Sequence, residues 1–202
     1  MGEFISSIKN IIKIHLLPYS PRRITRQKWD LQFKNGHWDF LWSNDELIRY
    51  NYIYNLLSEY LRQDFKILDL GCGEGNLYKH IQSLDLTDYV GVDISEEAIT
   101  KAKKLFNGNG KFICEDLCKY NPEDSYDFII FNESLYYLDK PIAVINRYKK
   151  FLKKEGKIIV SMWYDKVKNN KLWKRIDSNF KIESQKTINN NKGISWIIKV
   201  LK

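Results

Sequence analysis

The chain has 202 residues, 44% of them apolar, and 33 lysines and arginines against 25 acidic residues give it a formal net charge of +8. This suits one domain, or one domain with an appendage, and the charge favours anionic partners, although the scattered basic residues form no block or aromatic-basic module and nucleic acid is not the expected partner. Three cysteines without a CxxC pair exclude a disulfide framework and a zinc site, no apolar run approaches a membrane span, and Lys9, Lys13 and His15 break any secretory pattern, so residence is expected to be cytoplasmic.

Residues 4 to 17 place Phe4, Ile5, Ile8, Ile11, Ile12 and Leu16 near helical spacing, with lysines on another face. This predicts an amphipathic helix ended by Pro18, docked on its own domain or on a second copy in a homodimer, with a membrane surface as the alternative. The next stretch is rich in tryptophan: Trp29, Trp38 and Trp42 lie among Asp30, Phe33, Gly36, His37 and Asp39. Residues 1–44 thus read as an N-terminal arm or helical lid, and 45–202 as the main domain.

Asn44 or Ser43 can cap a helix from Asp45 to about Leu61, with Leu47, Tyr50, Ile53, Tyr54, Leu57 and Leu61 as its buried stripe. The central stretch follows, Lys66-Ile67-Leu68-Asp69-Leu70-Gly71-Cys72-Gly73-Glu74-Gly75, an apolar strand running into alternate glycines and then a helix from Asn76 to Ser83. Glycines there let a ligand lie against bare main chain, and the helix N-terminus offers N–H groups. Further strands are expected at 88–93, 111–117, 126–131 and 157–163, with helices at 96–106, 141–152 and 168–178 between and after them. Strands alternating with helices imply a doubly wound parallel sheet. The last two strands, 180–188 and 194–201, are separated by too short a connection for a parallel crossover and must form an antiparallel hairpin.

In such sheets ligands bind at the carboxyl ends of the strands. Those ends carry the glycines, Asp93, Asp116 and Asn132-Glu133, and Asp93 stands where a carboxylate accepts from ribose hydroxyls. An adenosine-type ligand is the better joint account. Position 76 is Asn, so the pattern is GxGxG where dinucleotide folds use GxGxxG, and no GK[ST] is present. NAD and ATP are therefore disfavoured.

Leu68 to Gly75 resembles motif I of the class I S-adenosylmethionine-dependent methyltransferases, over roughly residues 45–202. The resemblance implies a Rossmann-like seven-stranded sheet ordered 3-2-1-4-5-7-6 with strand 7 antiparallel, S-adenosyl-L-methionine as cofactor and S-adenosyl-L-homocysteine as product. By it, Asp69 and the Gly71-Cys72-Gly73 backbone position the methionine part, Asp93 binds ribose, Ile94 packs on adenine, Asp116 and Leu117 meet the adenine edge, and Asn132 sits beside the methionine moiety. Phe131 to Leu138 is similar to the stretch found in small-molecule methyltransferases, particularly nodulation-type enzymes that N-methylate an amino sugar. Glu133 is the candidate base and His37 the second, if the arm folds over the site. Trp38, Tyr136, Tyr137, Trp163 and Tyr164 are candidate walls of an acceptor pocket. The expected acceptor is a hydroxyl or amino group of a small polar molecule, a sugar or nucleotide sugar of glycan biosynthesis, and positive charge near the site would suit a phosphorylated one. The alternatives are RNA, cap or protein methylation, or a non-catalytic cofactor-binding subunit.

Overall fold

The computed structural model describes residues 24–60, 65–84, 86–165 and 169–202. The helix expected over 4–17, and any dimer contact through it, lie outside these residues. Helix α1, Arg26–Lys34, starts at Thr25, whose side chain accepts from the Lys28 N–H. Two short 3₁₀ turns, Asp39–Trp42 and Asn44–Glu46, lead into α2, Leu47–Ser58. The remaining elements are β1 (Phe65–Leu70), α3 (Asn76–Ile81), β2 (Leu86–Asp93), α4 (Glu96–Phe106), β3 (Lys111–Cys114), β4 (Tyr126–Asn132), α5 (Pro141–Lys149), β5 (Leu152–Trp163), α6 (Asn170–Asn179), β6 (Ile182–Asn189) and β7 (Ser195–Leu201).

The seven strands form one sheet ordered β3-β2-β1-β4-β5-β7-β6. β1 to β5 pair in parallel, while β7 runs antiparallel to both β5 and β6. Alternate residues of each central strand face opposite ways. Ile67 and Ile130 belong to a core with Ile53 and Leu57 of α2, Leu77 and Ile81 of α3, and Ile99 and Phe106 of α4. Their neighbours Leu68 and Ile129 belong to a second core with Val144 and Tyr148 of α5 and Trp173 and Ile176 of α6. Both faces of β1 and β4 are therefore covered, which accounts for their unbroken apolar sequence.

Several boundaries differ from expectation. β3 stops at Cys114, so Asp116 and Leu117 stand in the loop beyond it. Glu155-Gly156 does not separate helix from strand but lies inside the long β5, beside a shifted β4 register. A side chain at Gly156 would meet the Tyr126 carbonyl oxygen at 2.8 Å, so β5 approaches β4 too closely there for anything larger. The stripe of α2 is also rotated: Arg49 and Leu56 are buried, while Leu47 and Tyr54 are only half-buried. No described helix is long and apolar enough to cross a membrane.

The glycine turn shows why sequence and packing agree at its end. Gly75 has φ +83°, and a Cβ there would lie 2.5 Å from the Phe106 ring and 3.2 Å from Phe112. Gly108 has a similar φ of +88° with nothing within 4 Å. Gly75→Ala is expected to lower unfolding free energy by about 2–4 kcal/mol, strain plus overpacking, and Gly108→Ala by only about 1 kcal/mol. Urea melts of the two variants check this; equal losses would contradict it.

Candidate active site

The carboxyl ends of β1, β2 and β4, with the loop after β3, open into one cleft of about 1090 Å³ counted out to its mouth. Asp69, Gly71, Cys72, Gly73, Asp93, Ile94, Asp116, Leu117 and Asn132 all line it. So do Glu133, Tyr136, Tyr137 and Trp38.

Each aspartate accepts at least one hydrogen bond at or just beyond its strand end. Asp93 at the end of β2 accepts the Gly73 N–H at 2.9 Å on one oxygen and the Ser95 N–H at 2.8 Å on the other. Burial raises its pKa and these two N–H groups oppose the rise. Asp69 accepts from the Tyr89 hydroxyl at 2.7 Å on one oxygen, and its other oxygen is buried without a hydrogen-bond partner. Burial pushes the Asp69 carboxyl up to about 7, with the Tyr89 bond and Arg49 working against the rise and Asp93 adding to it. Asp116 accepts the Cys118 N–H at 2.8 Å.

Glu133 follows β4 in the left-handed region, φ +60°, with its N–H bonded to the Ser161 carbonyl at 2.9 Å. A non-glycine residue there costs on the order of 1 kcal/mol, and the anchored backbone holds the side chain at the cleft. The Tyr136 hydroxyl donates to Glu133 Oε2 at 2.6 Å, while Oε1 is buried with no partner. Burial pushes this carboxyl up to about 7, opposed by Arg49, by Tyr136 and by the Trp163 backbone.

Arg49 of α2 is the residue that sequence reasoning passed over. It is fully buried at the cleft wall, reaching Glu46 Oε2 through Nε at 3.2 Å and Nη2 at 2.6 Å, and Asn132 Oδ1 through Nη1. Burial works against its charge, yet Tyr50, Glu46 and Glu133 push its pKa above the ordinary value. Its position one turn from Ile53 on the buried stripe was the available signal.

Residues 24–44 of the arm close one side. Asp30 of α1 accepts from the Ser95 hydroxyl at 2.7 Å and the Glu97 N–H at 3.2 Å, pinning the arm to the start of α4. Glu74 of the glycine turn accepts from the Trp42 indole at 2.9 Å and from Lys101 at 2.8 Å, and Lys101 also donates to the Phe33 carbonyl at 2.7 Å. Trp29, Phe33, Trp38 and Tyr137 pack together above the turn, with Trp29 edge-on to Tyr137 at 4.9 Å. His37 does not line the cleft; its ring lies edge-on to Trp38 at 5.2 Å, and burial lowers its pKa. Trp163 and Tyr164 also stay off the cleft wall, half-buried against the cores on opposite faces of the sheet.

The pKa shifts carry a sign that stability measurements can read. Glu133 is pushed up to about 7 from 4.5, so the folded chain holds a proton over that window which the unfolded chain has released. Stability is then present below about pH 4.5 and falls as pH rises through about 7. Glu133→Gln is expected to remove about 1–3 kcal/mol of that decline between roughly pH 4.5 and 7, measured by urea melts across pH. An unchanged slope would contradict the burial.

Comparisons with known proteins agree with this geometry. A family model described as a methyltransferase domain matches residues 44–186. Malonyl-[acyl-carrier protein] O-methyltransferase 1 of Ilyobacter polytropus is 31% identical over 113 residues, 52% of this chain and 40% of that protein. Ribosomal protein L11 methyltransferase of Thermosipho melanesiensis is 34% identical over 109 residues, 52% of this chain and 41% of that protein. The chain thus spans about two fifths of the length of these curated relatives. Among solved structures, the N-methyltransferase NodS from Bradyrhizobium japonicum WM9, in complex with S-adenosyl-L-homocysteine, superposes with a TM-score of 0.72 at 14% identity, covering 87% of this chain and 96% of that one. With the domain match spanning most of its length and the sheet ordered as described, the chain belongs to the methyltransferase-domain family and has the fold of the class I S-adenosylmethionine-dependent methyltransferases.

Proposed function

We propose that this chain moves the methyl group of S-adenosylmethionine to a hydroxyl or amino group of a small polar acceptor, a sugar or nucleotide sugar of glycan biosynthesis, with residues 1–44 serving as a lid. The observation that carries the reading is the sharing of one cleft by the strand-end carboxylates and a buried, aromatic-walled Glu133.

The polar groups present fit the donor. Asp69 Oδ1, Asn76 Nδ2, Glu133 Oε1 and Trp38 Nε1 are buried atoms without hydrogen-bond partners, and all four belong to residues lining the cleft. Buried polar atoms without partners are costly, so a polar ligand is their natural complement. Asp93 has lone pairs left for ribose hydroxyls after accepting two N–H groups. Asp69, the Gly71-Cys72-Gly73 backbone and Asn132 would hold the methionine part, Ile94 would pack on adenine, and Asp116 with Leu117 would meet its edge.

When bound, the sulfonium group supplies an already activated methyl carbon. The protein's own work is then alignment, exclusion of water and handling of one proton. Trp29, Phe33 and Trp38 cover the turn and exclude water. Glu133 takes the acceptor's proton, its raised pKa near 7 making it a better base than an exposed carboxylate. Arg49, paired with Glu46 and bonded to Asn132, fixes the residue before Glu133.

Release of S-adenosylhomocysteine across a panel of amino sugars, deoxysugars and nucleotide sugars tests the acceptor class. Turnover is expected to rise with pH through about 7, and Glu133→Gln to slow it about 10²–10⁴-fold with little change in donor affinity. Wild-type turnover in that variant would remove Glu133 as the base, and turnover only with RNA or protein would replace the acceptor.

A further inference from the structure

The cleft is acidic although the protein is basic. Among the described residues lining it stand five carboxylates, Glu46, Asp69, Asp93, Asp116 and Glu133, and a single basic side chain, Arg49. The three aspartates stand at the carboxyl ends of β1 and β2 and in the loop after β3, at the end assigned to the methyl donor. Glu46, Arg49 and Glu133 stand at the other end. There Arg49 is already engaged, with two nitrogens on Glu46 Oε2 and a third on Asn132. Glu46 and Arg49 cancel, so the charge left at that end is the one on Glu133.

The wall around Glu133 is aromatic. Tyr136 donates to its Oε2 and lies 4.5 Å from Tyr137, ring centre to ring centre, while Trp38 packs 6.4 Å from Tyr137 and 5.4 Å from Trp29. A carboxylate among aromatic rings is a chemical match for an ammonium group, which brings three donors and a positive charge attracted to ring faces. An alcohol brings one donor and no charge. A phosphate or carboxylate would bring charge of the wrong sign into a cleft whose cation is occupied, and the protein's +8 lies elsewhere.

We propose that the acceptor is a primary amine, entering as its ammonium ion and held between the Glu133 carboxylate and the rings of Tyr136, Tyr137 and Trp38. This rests on the methyltransferase reading of the same cleft and narrows it to N-methylation. A phosphorylated acceptor, which the overall charge favoured, then has to keep its phosphate outside the described cleft. The ammonium passes one proton to Glu133 and becomes a neutral amine. Its lone pair forms the new bond to the methyl carbon as the carbon–sulfur bond breaks, the electron pair staying on sulfur. The product leaves as a methylated ammonium, and Glu133 returns its proton to solvent.

Methylammonium ion is the probe, titrated into protein saturated with S-adenosylhomocysteine while the indole N–H resonances of Trp29 and Trp38 are followed by NMR, with acetate and inorganic phosphate as the anionic counterparts. Saturable shifts with methylammonium alone are expected, weakened about tenfold in Glu133→Gln and less in Glu133→Asp. Calorimetry with S-adenosylhomocysteine on each protein reports whether the donor site is intact, and a Glu133→Gln variant that loses it leaves the Glu133→Asp comparison to decide. Failure of the wild type to bind S-adenosylhomocysteine would sink the methyltransferase reading and this proposal with it. Normal S-adenosylhomocysteine binding without a methylammonium response, with the same resonances moved by phosphate or acetate, or with shifts unchanged in both Glu133 variants, would overturn the amine proposal alone.

Discussion

The ion pair of Arg49 with Glu46, and the bond from the same guanidinium to Asn132, connect the helix that enters the domain to the strand end that presents Glu133. Arg49 is wholly out of water and Glu46 nearly so. A buried pair of this kind gains little over an apolar pair of the same shape, but removing one partner leaves a charge stranded at a cost of about 3–5 kcal/mol. Its value is positional. Glu46, Arg49 and Asn132 cannot shift separately, and Glu133, next in the chain and held in a left-handed conformation, inherits their placement.

That placement sets the chemistry at both ends of the cleft. Asp69 and Glu133 are both pushed up to about 7 because both are buried, and both feel the charge of Arg49, which keeps them from rising further. One guanidinium thus tempers two carboxylates at once. The arm depends on the same acidic economy of contacts: Asp30 caps the start of α4, and Glu74 gathers Trp42 and Lys101. The arm's aromatic residues then form the outer wall over the glycine turn, where the Phe33 ring stands 3.5 Å from the position of a Cβ on Gly73.

Much of the fold was legible because it is written locally. Apolar runs at β1 and β4, glycines at 71, 73 and 75, and the short link between β6 and β7 give the strand types and the closing hairpin. That the strand-end residues share one cleft was legible for the same reason, since strand ends converge in a doubly wound sheet whatever the details. Arg49 was not, because a basic residue on an amphipathic helix reads as solvated until its partner Asn132, far along the chain, is brought to it by folding. Trp163 and Tyr164, read from the sequence as candidate walls, do not line the cleft on a related ground. Trp163 ends a central strand and Tyr164 follows it, and their side chains continue its alternation into the two cores, away from the cleft. The length of β5 and the early end of β3 follow from pairing with neighbours, which no local window contains.

Calorimetric titration with S-adenosylmethionine, on the wild type and on Asp93→Asn, tests the central claim most directly, because Asp93 is fixed by Gly73 and Ser95 independently of the acceptor end. The account predicts one molecule bound per chain, with affinity reduced at least about tenfold in the variant through loss of a charged acceptor. No saturable heat in the wild type, or equal affinity in the two proteins, would contradict it.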